Sequence, residues 1–326
     1  MHVRVDQRSW PMREPFAISR VVEHAAKTIV VVLDDGDGNR GRGEASGVAY
    51  HGETQSSMEA QIEDVRQELE RGASREDLLE LLPAGGARSA VDVALWDLEA
   101  KRSGRSVFDL AGLGHPRPLA TAFTIGIRDV EGYATAARAH ADHALLKVKV
   151  GTDNPLAAIE AVHAGAPNAR LIIDPNTAWS VDFLKAIAPS LPALGVVLLE
   201  QPIKVGDEAL LDGYACPVAL CADELIQDER DLSLAQGRFA VINIKLDKAG
   251  GLTSALKLQA QALSMGLEVM VGCMAGTSLA MAPGTVVGQR CTFVDLDGPL
   301  LLAEDWPDGL CYRQGTIAPP TPSFWG

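Results

Sequence analysis

The sequence predicts an α/β chain: a (β/α)8-type barrel (a modified TIM barrel) behind an α+β N-terminal capping domain. Three observations lead there. From about residue 119, short apolar strands alternate eight times with helical stretches of roughly 10–15 residues. The first third reads as β and then α, without that alternation. Polar residues gather at the C-terminal ends of the later strands, the edge where an α/β barrel builds its site.

Residues 1–114 are expected to form the cap. Alternating apolar residues open the chain, a loop is expected from Glu14 to Ala26, and Thr28–Leu33 reads as a strand ending in the turn Asp34-Asp35-Gly36-Asp37-Gly38. After Gly43-Glu44-Ala45 the pattern turns helical. Ala87–Lys101 places Val91, Leu95 and Leu98 at i, i+4 and i+7, an apolar face that must pack on something. Gly112-Leu113-Gly114-His115-Pro116 then breaks the chain.

Residues 115–300 are expected to be the barrel. Its strands are Leu119–Ile125, Ala144–Val150, Ala169–Asp174, Gly195–Glu200, Val218–Asp223, Ala240–Lys245, Leu267–Gly272 and Cys291–Asp295, with Pro155–Ala164, Val181–Leu191 and Ser254–Ser264 among the intervening helices. A doubly wound open sheet is disfavoured, because no glycine-rich phosphate turn follows the first strand. Residues 301–326 have too little periodicity for another unit and are expected to pack back on the cap.

Composition narrows the function classes. The chain has 29 Lys+Arg against 43 Asp+Glu, a formal charge of −14, which argues against nucleic acid or an anionic membrane as partner. Hydrophobic content of 47% with 22% charged residues is that of a core-rich globular protein. The apolar run Ile29–Leu33 is only strand-length, and Met1–Asp6 has neither an h-region nor a cleavage site. Cys216, Cys221, Cys273, Cys291 and Cys311 form no CxxC pair, so reduced, mostly buried thiols in a cytoplasmic protein are expected. The composition is compatible with a homo-oligomer without specifying one.

The strand ends carry the chemistry. The second barrel strand ends in Lys147-Val148-Lys149, the third in Asp174, the fourth in Glu200, the fifth in Asp223, the sixth in Lys245 and the eighth in Asp295-Leu296-Asp297. Period-2 geometry sends both lysines of the KxK to one side, and likewise both aspartates of the DxD. Each has an ordinary reading alone: a helix N-cap, a solvated strand end, a strand-end turn. Together, three acids on consecutive strands make a hard oxygen site suited to Mg²⁺. Lysines on either side could exchange the α-proton of a carboxylate substrate from opposite faces. Burial and a neighbouring cation are expected to push a lysine down from about 10.4 towards a useful base, Lys147 acting on Lys149, and the metal and burial chiefly on Lys245.

The stretches Leu146-Lys147-Val148-Lys149-Val150, Ile173-Asp174-Pro175-Asn176, Leu199-Glu200-Gln201-Pro202, Ala222-Asp223-Glu224, Asn243-Ile244-Lys245-Leu246-Asp247-Lys248-Ala249-Gly250-Gly251 and Asp295-Leu296-Asp297 resemble the enolase superfamily, muconate-lactonising-enzyme subgroup. Within it, the chain is similar to dipeptide epimerases of the L-Ala-D/L-Glu type, enzymes of cell-wall peptide recycling. The resemblance implies Asp174, Glu200 and Asp223 as Mg²⁺ ligands, Lys149 and Lys245 as an opposed acid/base pair, and Lys147 at the substrate carboxylate. It implies Asp295 and Asp297 as the grip on a dipeptide's α-ammonium. It also implies that cap loops, here Ile18–Ala26 and Ala49–Thr54, shape specificity, with Arg20 meeting a distal carboxylate and Thr124 and Met274 lining the pocket. Glu23 and His24 depart from what an anionic side chain would need, which keeps hydrophobic or cationic dipeptides open. The o-succinylbenzoate synthase and muconate-lactonising reactions share the lysine–metal frame and need no DxD.

Overall fold

The computed structural model describes residues 1–19 and 21–326, so Arg20 lies outside the described residues. The chain opens with an antiparallel sheet of β1 (His2–Ala17), β2 (Val22–Asp34) and β3 (Arg40–Ala45). The loop expected over Glu14 to Ala26 is mostly strand. β1 and β2 pair from His2↔Asp34 to Ala17↔Val22, with a register irregularity between Pro11 and Phe16. The polar residues that read as a loop are the solvent-facing part of a long two-stranded ribbon.

The helix Gly86–Ser103 packs on this sheet. Gly43 allows the approach: a Cβ there would lie 2.1 Å from Ala90 O. The helix is buried on nearly every face, not only along its apolar stripe. Its polar residues are satisfied across the boundary with the barrel. Arg88 donates to Gly250 O and Ala249 O at 3.1 and 2.8 Å, and Asp92 accepts from Thr253 N at 2.9 Å. β3 adds Glu44, whose Oε1 accepts from Thr277 N at 3.1 Å.

A second sheet runs β5 (Phe123–Ile125), β6 (Leu145–Lys149), β7 (Arg170–Asp174), β8 (Val196–Glu200), β9 (Ala219–Ala222), β10 (Val241–Lys245), β11 (Glu268–Gly272) and β12 (Phe293–Val294), each parallel to its neighbour. Its ends meet where Ala122 N donates to Val294 O at 2.8 Å. The barrel interior is layered by the period of two. Ala122, Leu145, Ile172, Leu198, Cys221, Val241, Met270 and Phe293 form one buried apolar cluster at the bottom. Two residues later on every strand come Thr124, Lys147, Asp174, Glu200, Asp223, Asn243, Gly272 and Asp295. The apolar plug thus supports a polar layer facing the mouth. The alternate residues, such as Leu146, Val148, Ile173, Leu199 and Ile244, belong to the core between sheet and helices.

The expected strand Leu119–Ile125 is two pieces. β4 (Leu119–Ala120) leaves the barrel and pairs with β14 (Thr316–Ile317), which pairs in turn with β13 (Tyr312–Arg313). The tail also reaches the cap, where Gly326 N donates to Asp97 Oδ1 at 2.8 Å and Trp325 Nε1 to Arg42 O at 3.1 Å. The five cysteines are free. Cys221 is buried, Cys216, Cys273 and Cys291 are half-buried as residues, and Cys311 is exposed. Among the described residues no helix is long and apolar enough to cross a membrane.

Candidate active site

The polar layer is a network of paired charges. Lys147 Nζ stands 2.8 Å from Asp295 Oδ2, 2.7 Å from Glu200 Oε2 and 3.2 Å from Asp174 Oδ2. Lys149, on the same side of β6, donates to Asp174 Oδ2 at 2.6 Å and to Asn176 Oδ1 at 3.1 Å. Across the mouth, Lys245 donates to Asp223 Oδ2 at 2.7 Å. Lys149 and Lys245 thus end strands four apart in the sheet order, with the three acids on the strands between them.

Sequence reasoning missed several residues that hold this arrangement. Lys248 donates to Asp223 Oδ1 at 2.7 Å and also to Asp223 O. It sits one helical turn past Lys245, in Leu246–Ala249, and that i+3 spacing is the signal that could have marked it. Asn243 Nδ2 donates to Glu200 Oε1 at 2.8 Å. Gln201, at φ 33°, accepts from Asp223 N at 2.9 Å and Leu225 N at 3.2 Å. Asn176, at φ 47°, donates its backbone N–H to Asp174 Oδ1 at 2.9 Å. These two left-handed residues turn the chain back just past Asp174 and Glu200, a form of strain typical of functional sites.

Burial lowers the pKa of Lys147 and of Lys245, yet both end up raised, because Asp295 and Glu200 act on the first and Asp223 on the second. At these two lysines the carboxylates in contact outweigh desolvation. The acids absorb the strain: burial, then Asp174, raises Glu200, and burial, then Asp295, raises Asp297.

The DxD faces inward at both residues. Asp295 is paired with Lys147, and Asp297 Oδ2 accepts from Thr124 N at 2.5 Å. Thr124 Oγ1 reaches Asp295 Oδ1 at 3.4 Å, so Thr124 braces the DxD and is not simply a pocket wall. Met274 is half-buried in the loop after β11. Tyr50, in the 3-10 turn Ala49–His51, lies within the field of Asp223 and Lys245; burial, then Asp223, raises its pKa.

A cation suits this chemistry. Among the described residues, Asp174, Glu200, Asp223, Glu224, Asp295 and Asp297 are buried at the mouth against Lys147, Lys149, Lys245 and Lys248, a formal excess of two negative charges. Glu200 Oε2 is buried and makes no hydrogen bond despite its nearness to Lys147. Among the described residues no three acidic, histidine or cysteine groups converge as a ready coordination sphere; Asp174 and Asp223 are instead paired with Lys149, Lys245 and Lys248. The donor type and the charge excess fit a hard divalent ion.

Two family models match the chain: "Mandelate racemase / muconate lactonizing enzyme, N-terminal domain" over residues 1–112 and "Enolase C-terminal domain-like" over residues 130–322. The chain belongs to the mandelate racemase/muconate lactonizing enzyme family. The L-Ala-D/L-Glu epimerase of Escherichia coli (strain K12) is 40% identical over 319 residues, 97% of this chain and 98% of that protein. The N-acetyl-D-glutamate racemase of a Pseudoalteromonas species is 38% identical over 300 residues, 91% of this chain and 95% of that one. A crystal structure of an enolase family member from Agrobacterium tumefaciens with homology to dipeptide epimerases, with bound sodium, L-Ala-L-Glu and an ordered loop, matches with a TM-score of 0.97. It is 40% identical and covers 100% of this chain and 99% of that chain. Within the family, then, similarity extends over both the cap and the barrel.

Proposed function

We propose that the chain is a Mg²⁺-dependent dipeptide epimerase that inverts the α-carbon of the C-terminal residue by 1,1-proton transfer, with L-Ala-D/L-Glu as the leading substrate and murein peptides as its source. The observation that carries this reading is the opposition of Lys149 and Lys245 across the barrel mouth, with the acidic trio between them. Two such arms can reach one α-carbon from opposite faces, which inversion requires and a one-sided base cannot provide.

Asp174, Glu200 and Asp223 would hold Mg²⁺, which supplies positive charge beside the substrate carboxylate where negative charge develops as the α-proton leaves. Lys149 removes that proton on one face and Lys245 returns one on the other, with the roles exchanged in the reverse direction. Lys147 stays cationic, because its carboxylate neighbours hold its pKa well above the usual lysine range, and it binds the substrate carboxylate. Asp295 and Asp297 receive the α-ammonium. Their mutual repulsion in a buried site is what an added cation relieves. Five free thiols suit a reducing compartment, and we place the reaction in the cytoplasm.

The test is solvent-deuterium exchange at the α-carbon over a panel of L,L-dipeptides. Exchange with Ala-Glu is expected, and no exchange across the panel overturns the reading. The racemase relative motivates a second reading, an N-acylated amino acid as substrate, which brings no ammonium. Asp297→Asn decides between them: a loss confined to dipeptides supports the first reading, and equal activity on N-acetyl-L-glutamate and Ala-Glu supports the second.

A further inference from the structure

Lys149 and Lys245 end their strands differently. Lys245 is the N-cap of the helical turn Leu246–Ala249, so its carbonyl opens that turn, and β11 still runs beside it, with Lys245 paired to Gly272. Lys149 closes β6, and the next helix does not begin until Pro155. On one side β7 holds it: Lys149 pairs with Asp174, and Val150 N donates to Asp174 O at 3.2 Å. On the other side β5 stops short. Its last pair is Ile125 with Val148, and Ile127 N, where the next rung would start, donates instead to Ala17 O of the cap at 2.8 Å. The carbonyl of Lys149 is thus left beyond the ladder.

A phenol takes the place of the missing rung: Tyr133 Oη donates to Lys149 O at 2.6 Å. Tyr133 is 3% exposed and lies on the buried face of the helix Val130–Ala139. That helix is itself fixed. Asp129 caps it, accepting from Gly132 N at 2.7 Å, and Gly165 lets the helix Pro155–Gly165 come so near that a Cβ there would lie 2.8 Å from Ala134 O. Burial pushes the phenol up to about 12, so it stays a neutral donor. A buried carbonyl deprived of its donor stays unsatisfied or turns its peptide plane towards another, and the side chain of Lys149 is carried with that plane.

We infer that Tyr133 is a positioning residue for one arm of the reaction: its hydroxyl fixes the main chain at Lys149, and with it the placement of that amine, while Lys245 is held independently. The inference rests on the two-lysine reading of the reaction. Misplacing a reacting group by about 1 Å costs as much as about 100-fold in rate, so loss of this one anchor is expected to cost about ten-fold on the Lys149 face.

The experiment follows loss of the α-proton in deuterated water by NMR, separately for L-Ala-L-Glu and L-Ala-D-Glu, in the wild type, Tyr133→Phe and Tyr312→Phe. Lys149→Ala identifies the epimer that Lys149 deprotonates. Tyr312 is the comparison because its hydroxyl makes the same kind of bond, to Leu296 O at 2.6 Å, between two aspartates whose proposed role serves both epimers alike. Tyr133→Phe is expected to slow the Lys149 epimer about ten-fold relative to the other, and Tyr312→Phe to leave that ratio within about twofold. A ratio within about twofold of the wild type in Tyr133→Phe, or an equal shift in both variants, overturns the role of Tyr133, while exchange by the wild type leaves the epimerase reading standing. A wild type that exchanges neither epimer, nor any of the wider dipeptide panel, overturns that reading and this inference with it. A loss of folded protein scales both epimers alike and does not move the ratio.

Discussion

Asn243 donates to Glu200 Oε1 at 2.8 Å, and it can do so because Gly272 on the neighbouring strand has no side chain. A Cβ on Gly272 would lie 2.6 Å from Asn243 Oδ1. Asn243 therefore orients a carboxylate that we propose would hold the metal. Asn243→Leu and Gly272→Ala should each weaken Mg²⁺ affinity by about 10–100-fold, the usual cost of losing such a supporting partner. Calorimetric Mg²⁺ titration of folded protein checks this. Unchanged affinity in both variants would separate Asn243 from the metal site.

The barrel was legible for a local reason. Strands covered on both faces must be apolar runs, so each announces itself between turn residues, and the charged residue ending each run marks the mouth. The missing information is non-local. β4 exists because Thr316–Ile317 returns to pair with it, nearly two hundred residues away in sequence, and nothing near Leu119 signals that break. The hairpin over residues 14–26 looked like a loop because Glu14, Glu23 and His24 are polar, yet ladder hydrogen bonds do not depend on side-chain type. The direction of the lysine shifts turns on how many carboxylates the fold brings within reach, which strand spacing alone leaves open.

Lys248 should be needed for more than packing. Its ammonium is buried against Asp223 Oδ1, Asp223 O and Asn243 O, so Lys248→Met leaves a buried carboxylate without one of its two lysine partners. Removing one side of a buried pair costs about 3–5 kcal/mol. Denaturant unfolding in the absence of divalent ion should show that loss, and saturating Mg²⁺ should restore part of it by occupying Asp223. A variant as stable as the wild type would mean that Lys245 alone compensates the charge.

The opposed lysines make a handed prediction. Lys149→Ala and Lys245→Ala should each lower epimerisation by about 10²–10⁴-fold, the span typical of a lost general acid or base. In each variant, α-proton exchange should survive for only one epimer, and the surviving epimer should differ between the two. NMR of L,L- and L,D-dipeptides in deuterated water reads this directly. Loss of the same epimer in both variants would place the two amines on one face.

Glu44 joins cap to barrel and should make that junction sensitive to pH. Its carboxylate accepts from Thr277 N, Thr277 Oγ1 and Trp306 Nε1, yet burial raises its pKa from 4.5 to about 7. A carboxyl that is harder to ionise when folded binds a proton on folding, so its contribution is complete below about pH 4.5 and declines as pH rises through 7. The difference amounts to about 3 kcal/mol at 1.36 kcal/mol per pKa unit. Asp92 and Asp247, each raised to about 6 by burial, act in the same direction at the same junction. Stability should therefore fall between about pH 4 and pH 7, and Glu44→Gln should flatten that slope whatever its effect on stability at a single pH. Thermal unfolding of both proteins across this range is the measurement. Parallel curves would mean that Glu44 ionises as readily in the folded chain as in the unfolded one.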